Sequence, residues 1–359
     1  MNNKNPIFFK EQIIKLLSSK GDDFNGLLNA GFNAKLLSIG NTVHFRGLIE
    51  FSNICSKNCF YCGIRSGNKK LTRYELNEQE IIDAAIFAYN NRFGSIAFQG
   101  GERTGKEYAK KIEKIIKRIK QLSNNNLGIT LSLGEQSSET YKRWYESGAH
   151  RYLLRIETSN KELFSKIHPN DKNHIFEKRL ECLYKIKELG YQTGTGVMIG
   201  LPYQTLDNLA DDILFMTNFK VDMVGMGPFI EHADTPFYQP ETDVLPLKER
   251  FDLTLKMTAI MRILMPDINL VASTAMQAID PLGREKALLS GANIMMPNIT
   301  PSKYRDNYKL YENKPGRFEN PDDSLSLLSN SITKVNHKIG WEEWGDSKHY
   351  KKNICENLV

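Results

Sequence analysis

The sequence predicts an α/β fold, a complete (β/α)8 TIM-type barrel with a helical N-terminal extension and a C-terminal tail of helix and irregular chain. Three observations carry the prediction. Eight short β-rich runs alternate with longer amphipathic runs at roughly 25–40 residue spacing, a rhythm that calls for parallel strands and right-handed crossovers. Eight such units spread over about 260 residues match the count and size of this barrel. No low-complexity tract or Pro/Gly/Ser linker interrupts them. A doubly wound open sheet is the competing fold.

Taken in order, residues 1–40 read as a helical preface, 41–312 as the barrel and 313–359 as a tail of the same domain. The β-rich runs are "VHFRGLIEFSN" (43–53), "SIAFQG" (95–100), "GITLSLG" (128–134) and "RYLLRIE" (151–157). They continue with "TGTGVMIG" (193–200), "MVGMGPFI" (223–230), "NLVASTA" (269–275) and "ANIMMPN" (292–298). One helix opens at Asn77, with Glu80 three residues on as a capping box, and runs through Ile81, Ala85 and Ala88. Further helical patterns cover 107–122, 138–147, 174–189, 205–218, 247–264 and 283–290.

Bulk properties narrow the function. The chain is 359 residues long and 40% hydrophobic, ample for a large core. Lysine plus arginine exceed aspartate plus glutamate by only 48 to 42. The lysines are mixed with acids, so nucleic-acid binding is not expected. No apolar run is long enough for a membrane span. The N-terminus lacks the apolar core and cleavage site of a signal peptide. Five cysteines, three of them clustered, do not form a secreted disulfide framework. The expected location is the cytoplasm.

Strand alternation sorts the barrel's faces. Ile129, Leu131 and Leu133 share one face of their run, and Thr130, Ser132 and Gly134 the other. Tyr152, Leu154 and Ile156 oppose Arg151, Leu153, Arg155 and Glu157. If the apolar faces meet the helices, the lumen receives Thr130, Ser132, Arg155 and Glu157 instead of the usual aliphatic layers. Arg155 and Glu157 either satisfy each other or line a cavity for a polar or anionic ligand. Arg179 lies beside the apolar face of its helix, at the start, where it either snorkels or reaches a ligand. Cys182 reads as core.

The stretch "CSKNCFYCGIR" carries Cys55, Cys59 and Cys62 on the loop after the first strand, at the catalytic end of such a barrel. Structural zinc would need a fourth ligand, and none lies close by. Chance clustering in a polar loop is a second reading. The third is an iron–sulfur cluster held by three thiolates, one short of the usual four, which leaves one iron open to a small molecule.

C-x3-C-x2-C with Tyr61 before the last cysteine resembles the radical S-adenosylmethionine superfamily. "FQGGE" (98–102) resembles its motif for the methionine amino group and points to Gly100, Gly101 and Glu102. Over residues 45–312 the chain further resembles the HydE family of [FeFe]-hydrogenase maturases. That likeness runs through "TLSLGE", "RYLLRIET", "GLPYQT", "DMVGMGPFI", "HADTP", "STAM", "MPNITPSKYR" and "YKLY". Biotin synthase and methylornithine synthase resemble it less, and remain alternatives beside a non-catalytic iron–sulfur scaffold.

The resemblance implies one [4Fe–4S] cluster on Cys55, Cys59 and Cys62, and S-adenosylmethionine as co-substrate. It implies cofactor contacts from Tyr61, Gly100, Gly101, Glu102, Ser132, Glu157, Arg179 and Met198. It implies a substrate cavity lined by Thr130, Arg155, Thr274, Asn298 and Tyr304. The implied partners are a small cysteine-bound iron carbonyl cyanide substrate, other hydrogenase maturases and a ferredoxin- or flavodoxin-type reductant. Many relatives carry a second cluster on three C-terminal cysteines. Here only Cys355 follows residue 312, so no second cluster is expected.

Overall fold

The structure, a computed structural model, describes residues 9–239, 241–316 and 321–356. Eleven strands appear among them. In chain order they are β1 (Thr42–Ser52), β2 (Ser95–Gly100), β3 (Gly128–Ser132), β4 (Arg151–Leu153), β5 (Gln192–Thr195) and β6 (Met198–Ile199). Then come β7 (Met223–Val224), β8 (Gly227–Pro228), β9 (Asn269–Leu270), β10 (Ile294–Met295) and β11 (Lys338–Ile339). Eight form a parallel barrel in the order β10-β1-β2-β3-β4-β5-β7-β9. A Val271–Ile294 bridge closes it, with Ala272 N–H donating to the Ile294 carbonyl at 2.9 Å. The predicted barrel is therefore what forms.

Two of the eight runs are broken. Residues 193–200 form β5 and then β6, and residues 223–230 form β7 and then β8. The cause is a close approach: a Cβ on Gly196 would lie 1.9 Å from the Gly225 carbonyl oxygen. The two backbones bend together there, and β6 resumes pairing with β8 above the bend. The run 269–275 is only half strand. Ser273 instead caps the helix Thr274–Ile279, its hydroxyl accepting from the Ala275 N–H at 3.3 Å.

The helices follow the sequence closely. Asn77 caps Glu78–Asn90, accepting from the Glu80 N–H at 2.9 Å, while its own N–H donates to the Glu80 carboxylate at 3.0 Å. Lys106–Leu122 turns Ile112, Ile115, Ile116 and Ile119 into the core, each burial stabilising by about 1.5–3 kcal/mol. The N-terminal extension forms Lys10–Leu17 and Gly21–Ser38. Lys10 anchors the first of these, its ammonium 2.7 Å from Asp207 and 2.8 Å from Asp211. Among the described residues no helix is long and apolar enough to cross a membrane.

The tail plugs the N-terminal end of the barrel. β11 pairs with the start of β1 through Thr42–Lys338 and Val43–Ile339. Beyond it, Asp346 meets the fully buried Arg151, whose guanidinium donates to Asp346 at 2.5 Å, to the Trp344 carbonyl at 2.9 Å and to the Thr130 hydroxyl at 2.9 Å. Gln192 also donates to Asp346, and His150 lies 3.0 Å from it. Burial alone would raise the Asp346 carboxyl, but the His150 hydrogen bond and the Arg151 charge outweigh it and hold it low. Burial, then the Arg151 charge, pushes His150 down to about 4.

Asp346→Ala would leave Arg151 without its counter-ion, and should lower the unfolding free energy by about 3 kcal/mol, measurable by urea denaturation. His150 stays neutral in the folded chain while the unfolded chain binds a proton there. Stability should therefore fall as pH drops from about 6.5 toward 4, as read by the same titration at successive pH values.

Candidate active site

The C-terminal ends of the strands surround a cavity of about 340 Å³, within the range of small-molecule sites. β1 runs straight into the loop bearing Cys55, Cys59 and Cys62, and all three line the mouth. β2 ends beside it. Gly101 N–H donates to the Ser52 carbonyl at 2.9 Å, and the Ser56 N–H donates to the Glu102 carbonyl at 2.9 Å. A Cβ on Gly101 would lie 2.4 Å from the Ile54 carbonyl oxygen and 2.8 Å from the Cys55 Cβ. Only glycine lets the strand end touch the cysteine loop. The Glu102 N–H then donates to the Cys55 sulfur at 3.3 Å.

Three buried charges and the partly buried Arg179 tie the mouth together. Lys57, within the cysteine loop, places its ammonium 3.1 Å from Glu102 and 2.9 Å from Glu135. Arg179 donates to Glu135 at 2.9 Å, lies 3.5 Å from Glu102, and donates through Nε to the Arg155 carbonyl at 2.6 Å. Burial opposes the charge on Lys57 and Arg179, but the two carboxylates outweigh it. Burial raises the Glu102 carboxyl and the neighbouring Glu135 adds to this, while at Glu135 the two cations prevail over burial and hold it down.

Two histidines steady the loop. Tyr61 OH and His168 Nε2 lie 3.0 Å apart, and His168 Nδ1 lies 2.9 Å from the Phe164 carbonyl. A carbonyl only accepts, so Nδ1 carries the proton and Nε2 accepts from the phenol. By the same logic His174 accepts from the Asn58 N–H at 2.9 Å and donates to Asp171 at 2.8 Å.

Glu157 lines the lumen. Its backbone is left-handed, φ +67°, a conformation that costs a non-glycine residue about 1–3 kcal/mol. A bridge to Val197 holds it there. Its carboxylate lies 3.0 Å from Arg155, yet one oxygen, Oε2, makes no aligned hydrogen bond although it is buried. The two residues pair with each other and line the cavity as well.

Most of the predicted residues meet around this cavity. Tyr61, Gly100, Gly101, Glu102, Ser132, Glu157, Arg179 and Met198 line it, and so do Thr130, Arg155 and Thr274. Asn298 stands in the wall, its amide donating to Glu50 at 2.9 Å. Tyr304 does not reach the cavity. It stacks on Tyr74 with ring centroids 5.0 Å apart, and its hydroxyl donates to Glu80 at 2.9 Å, a residue of an outer helix. The short helix Ser302–Arg305 that follows Pro301 turns the ring outward. Lys57, Glu135 and His168 also line the mouth and were not predicted. For Lys57 and Glu135 the available signal was a charge inside the cysteine spacer and an acid just past the third strand.

The chain matches the radical SAM superfamily model over residues 49–216. It is 44% identical to the [FeFe] hydrogenase maturase subunit HydE of Thermotoga maritima, over 97% of this chain and 96% of that one. The chain belongs to the HydE family of radical S-adenosylmethionine enzymes. A 3-methylornithine synthase of Methanosarcina acetivorans is 26% identical over 82% of this chain and 83% of its own. Among solved structures, methylornithine synthase has a TM-score of 0.77 at 20% identity, covering 98% of this chain and 96% of that chain. The maturase HydG of Carboxydothermus hydrogenoformans has a TM-score of 0.78 at 20% identity, covering 98% and 79%. These two likenesses are of fold.

Family membership brings a [4Fe–4S] cluster and S-adenosylmethionine, and the donor set fits them. Burial raises all three thiols, Cys59 to about 12, so none is poised as a free thiolate; iron would supply the missing charge. Among the described residues no three His, Cys, Asp or Glu side chains converge on a single ion. Cys182 is buried in the core as expected, and the side chain of Cys355 lies outside the described ones.

Gly101→Ala should push the strand end off the cysteine loop. The expected result is loss of most bound iron after anaerobic reconstitution, with far-UV circular dichroism unchanged.

Proposed function

We propose that this chain carries one [4Fe–4S] cluster, on Cys55, Cys59 and Cys62, and matures an [FeFe]-hydrogenase. The observation behind this reading is that the cysteine loop, the Gly100–Glu102 strand end and the Arg179 network all open onto one lumen. When bound, the cluster and S-adenosylmethionine supply reductive cleavage to methionine and a 5′-deoxyadenosyl radical. Gly100, Gly101 and Glu102 receive the methionine amino group through backbone carbonyls and a carboxylate. Arg179 stands ready for its carboxylate, and Ser132 and Glu157 for its ribose or sulfonium side. Tyr61 and Met198 close the apolar side. The loops exclude water, so that hydrogen transfer is confined to what the lumen holds.

The substrate in this reading is a small cysteine-bound iron carbonyl cyanide complex, delivered by another maturase. The relatives named for hydrogenase maturation, HydE and HydG, support this. Thr130, Arg155 and Thr274 hold its polar groups deeper in the barrel. A ferredoxin- or flavodoxin-type protein delivers the electron, in the cytoplasm.

A hydrogenase maturation mixture lacking only this protein should yield inactive hydrogenase and recover activity when it is added. The reconstituted protein should hold about four irons and form 5′-deoxyadenosine with dithionite. Cys59→Ala should abolish both. Retained cleavage in that variant would remove the cysteine triad from the reading.

A further inference from the structure

The four ions at the mouth form a ring with unequal sides. Glu102 turns Oε1 to Lys57 at 3.1 Å and Oε2 to Arg179 at 3.5 Å. Glu135 turns Oε2 to Lys57 and Oε1 to Arg179, both at 2.9 Å. Three sides are close contacts, whereas the Arg179–Glu102 side stands at the outer limit of a hydrogen bond. All four side chains line the cavity. Arg179 is the most exposed of them at 16%, and Glu135 the deepest at 4%. The loose side therefore includes the ion nearest to open space.

The ring is also tied from outside. Lys57 donates to the Asn173 carbonyl. The Arg179 Nε donates to the Arg155 carbonyl at 2.6 Å. The Glu102 main chain is fixed by the Cys55 sulfur and the Ser56 N–H. Glu157, another carboxylate that acts on Arg179, is itself paired with Arg155 at 3.0 Å.

Opening the loose side strands no ion. Lys57 still holds Glu102 and Glu135, and Glu135 still holds Arg179. The opening offers a carboxylate beside a guanidinium. The head group of an α-amino acid is an ammonium beside a carboxylate, with no net charge. Inserted there, it turns an alternation of four ions into one of six, and no buried ion is left unpaired.

We infer that the methionine end of S-adenosylmethionine enters by opening the Arg179–Glu102 side of this ring, and that Lys57 and Glu135 are the positioning residues that keep that side open. The inference rests on the proposed reading in which Glu102 takes the methionine ammonium and Arg179 its carboxylate. Lys57 and Glu135 act through those two residues. Without Glu135, Arg179 has Glu102 as its one carboxylate in the ring and closes on it, and the zwitterion must then break a formed ion pair.

The test is anaerobic equilibrium dialysis of cluster-loaded protein with S-adenosylmethionine, methionine and 5′-deoxyadenosine in separate runs. Glu135→Gln keeps the shape of the side chain and removes its charge. It should weaken S-adenosylmethionine and methionine about tenfold and leave 5′-deoxyadenosine, which has no amino acid end, unchanged. Lys57→Gln combined with Glu135→Gln leaves Arg179 and Glu102 as a neutral pair, so no odd charge burdens the fold. It should show the same split between ligands, and it serves as the test if the single variant does not fold. Unchanged binding of all three ligands, or equal weakening of all three, would overturn the inference. So would loss of iron from both variants, which would make the ring a support of the cysteine loop alone. Failure of the unaltered protein to bind S-adenosylmethionine would instead overturn the reading of Glu102 and Arg179 on which it rests.

Discussion

The alternation of Lys57, Glu102, Arg179 and Glu135 is the interaction on which the upper half of the molecule depends. Each ion comes from a different part of the chain: the cysteine loop, the end of β2, the turn after β3 and the first turn of the helix Phe176–Glu188. None would be tolerated alone in such a place, because an unpaired buried ion costs several kcal/mol. Together they hold four connections at one spacing. The cysteines, the glycine-rich strand end and the lumen-facing arginine therefore keep their relative positions before any cofactor arrives, which is the form of preorganisation a radical enzyme needs.

Much of this was legible in the sequence, for reasons that can be named. Period-two alternation revealed Thr130 and Ser132 as lumen residues because both lie in β3, where side chains alternate faces; Arg155 and Glu157 lie past the end of β4 and reach the lumen through the bend at Glu157. The cysteine spacing and its place after β1 revealed the mouth. What escaped was long-range pairing. Nothing local to Lys57 says that it will meet Glu135, and nothing local to Gly196 says that the Gly225 backbone will press against it. Tyr304 differs from the expectation for a related reason: a short helix after a proline decides where the ring points, and it points to Glu80.

The two ends of the barrel divide the labour. At the N-terminal end, Arg151, His150, Gln192 and Asp346 form a network that fastens the tail. At the C-terminal end, glycines and a left-handed glutamate give up local stability to bring polar groups to one place. The division is the one this barrel class shows generally, with stability at the bottom and chemistry at the top. Here the bottom is completed by residues far from the barrel in sequence.

That remote completion has a bearing on biogenesis. β1 is synthesised early, yet Thr42 and Val43 find their parallel partner in β11, and His44 and Phe45 find theirs in β10. Until those late segments emerge from the ribosome, one edge of β1 stays unpaired, the situation in which nascent chains seek chaperones or stray partners. During that interval the cysteine loop at the far end of the same strand has no finished barrel behind it.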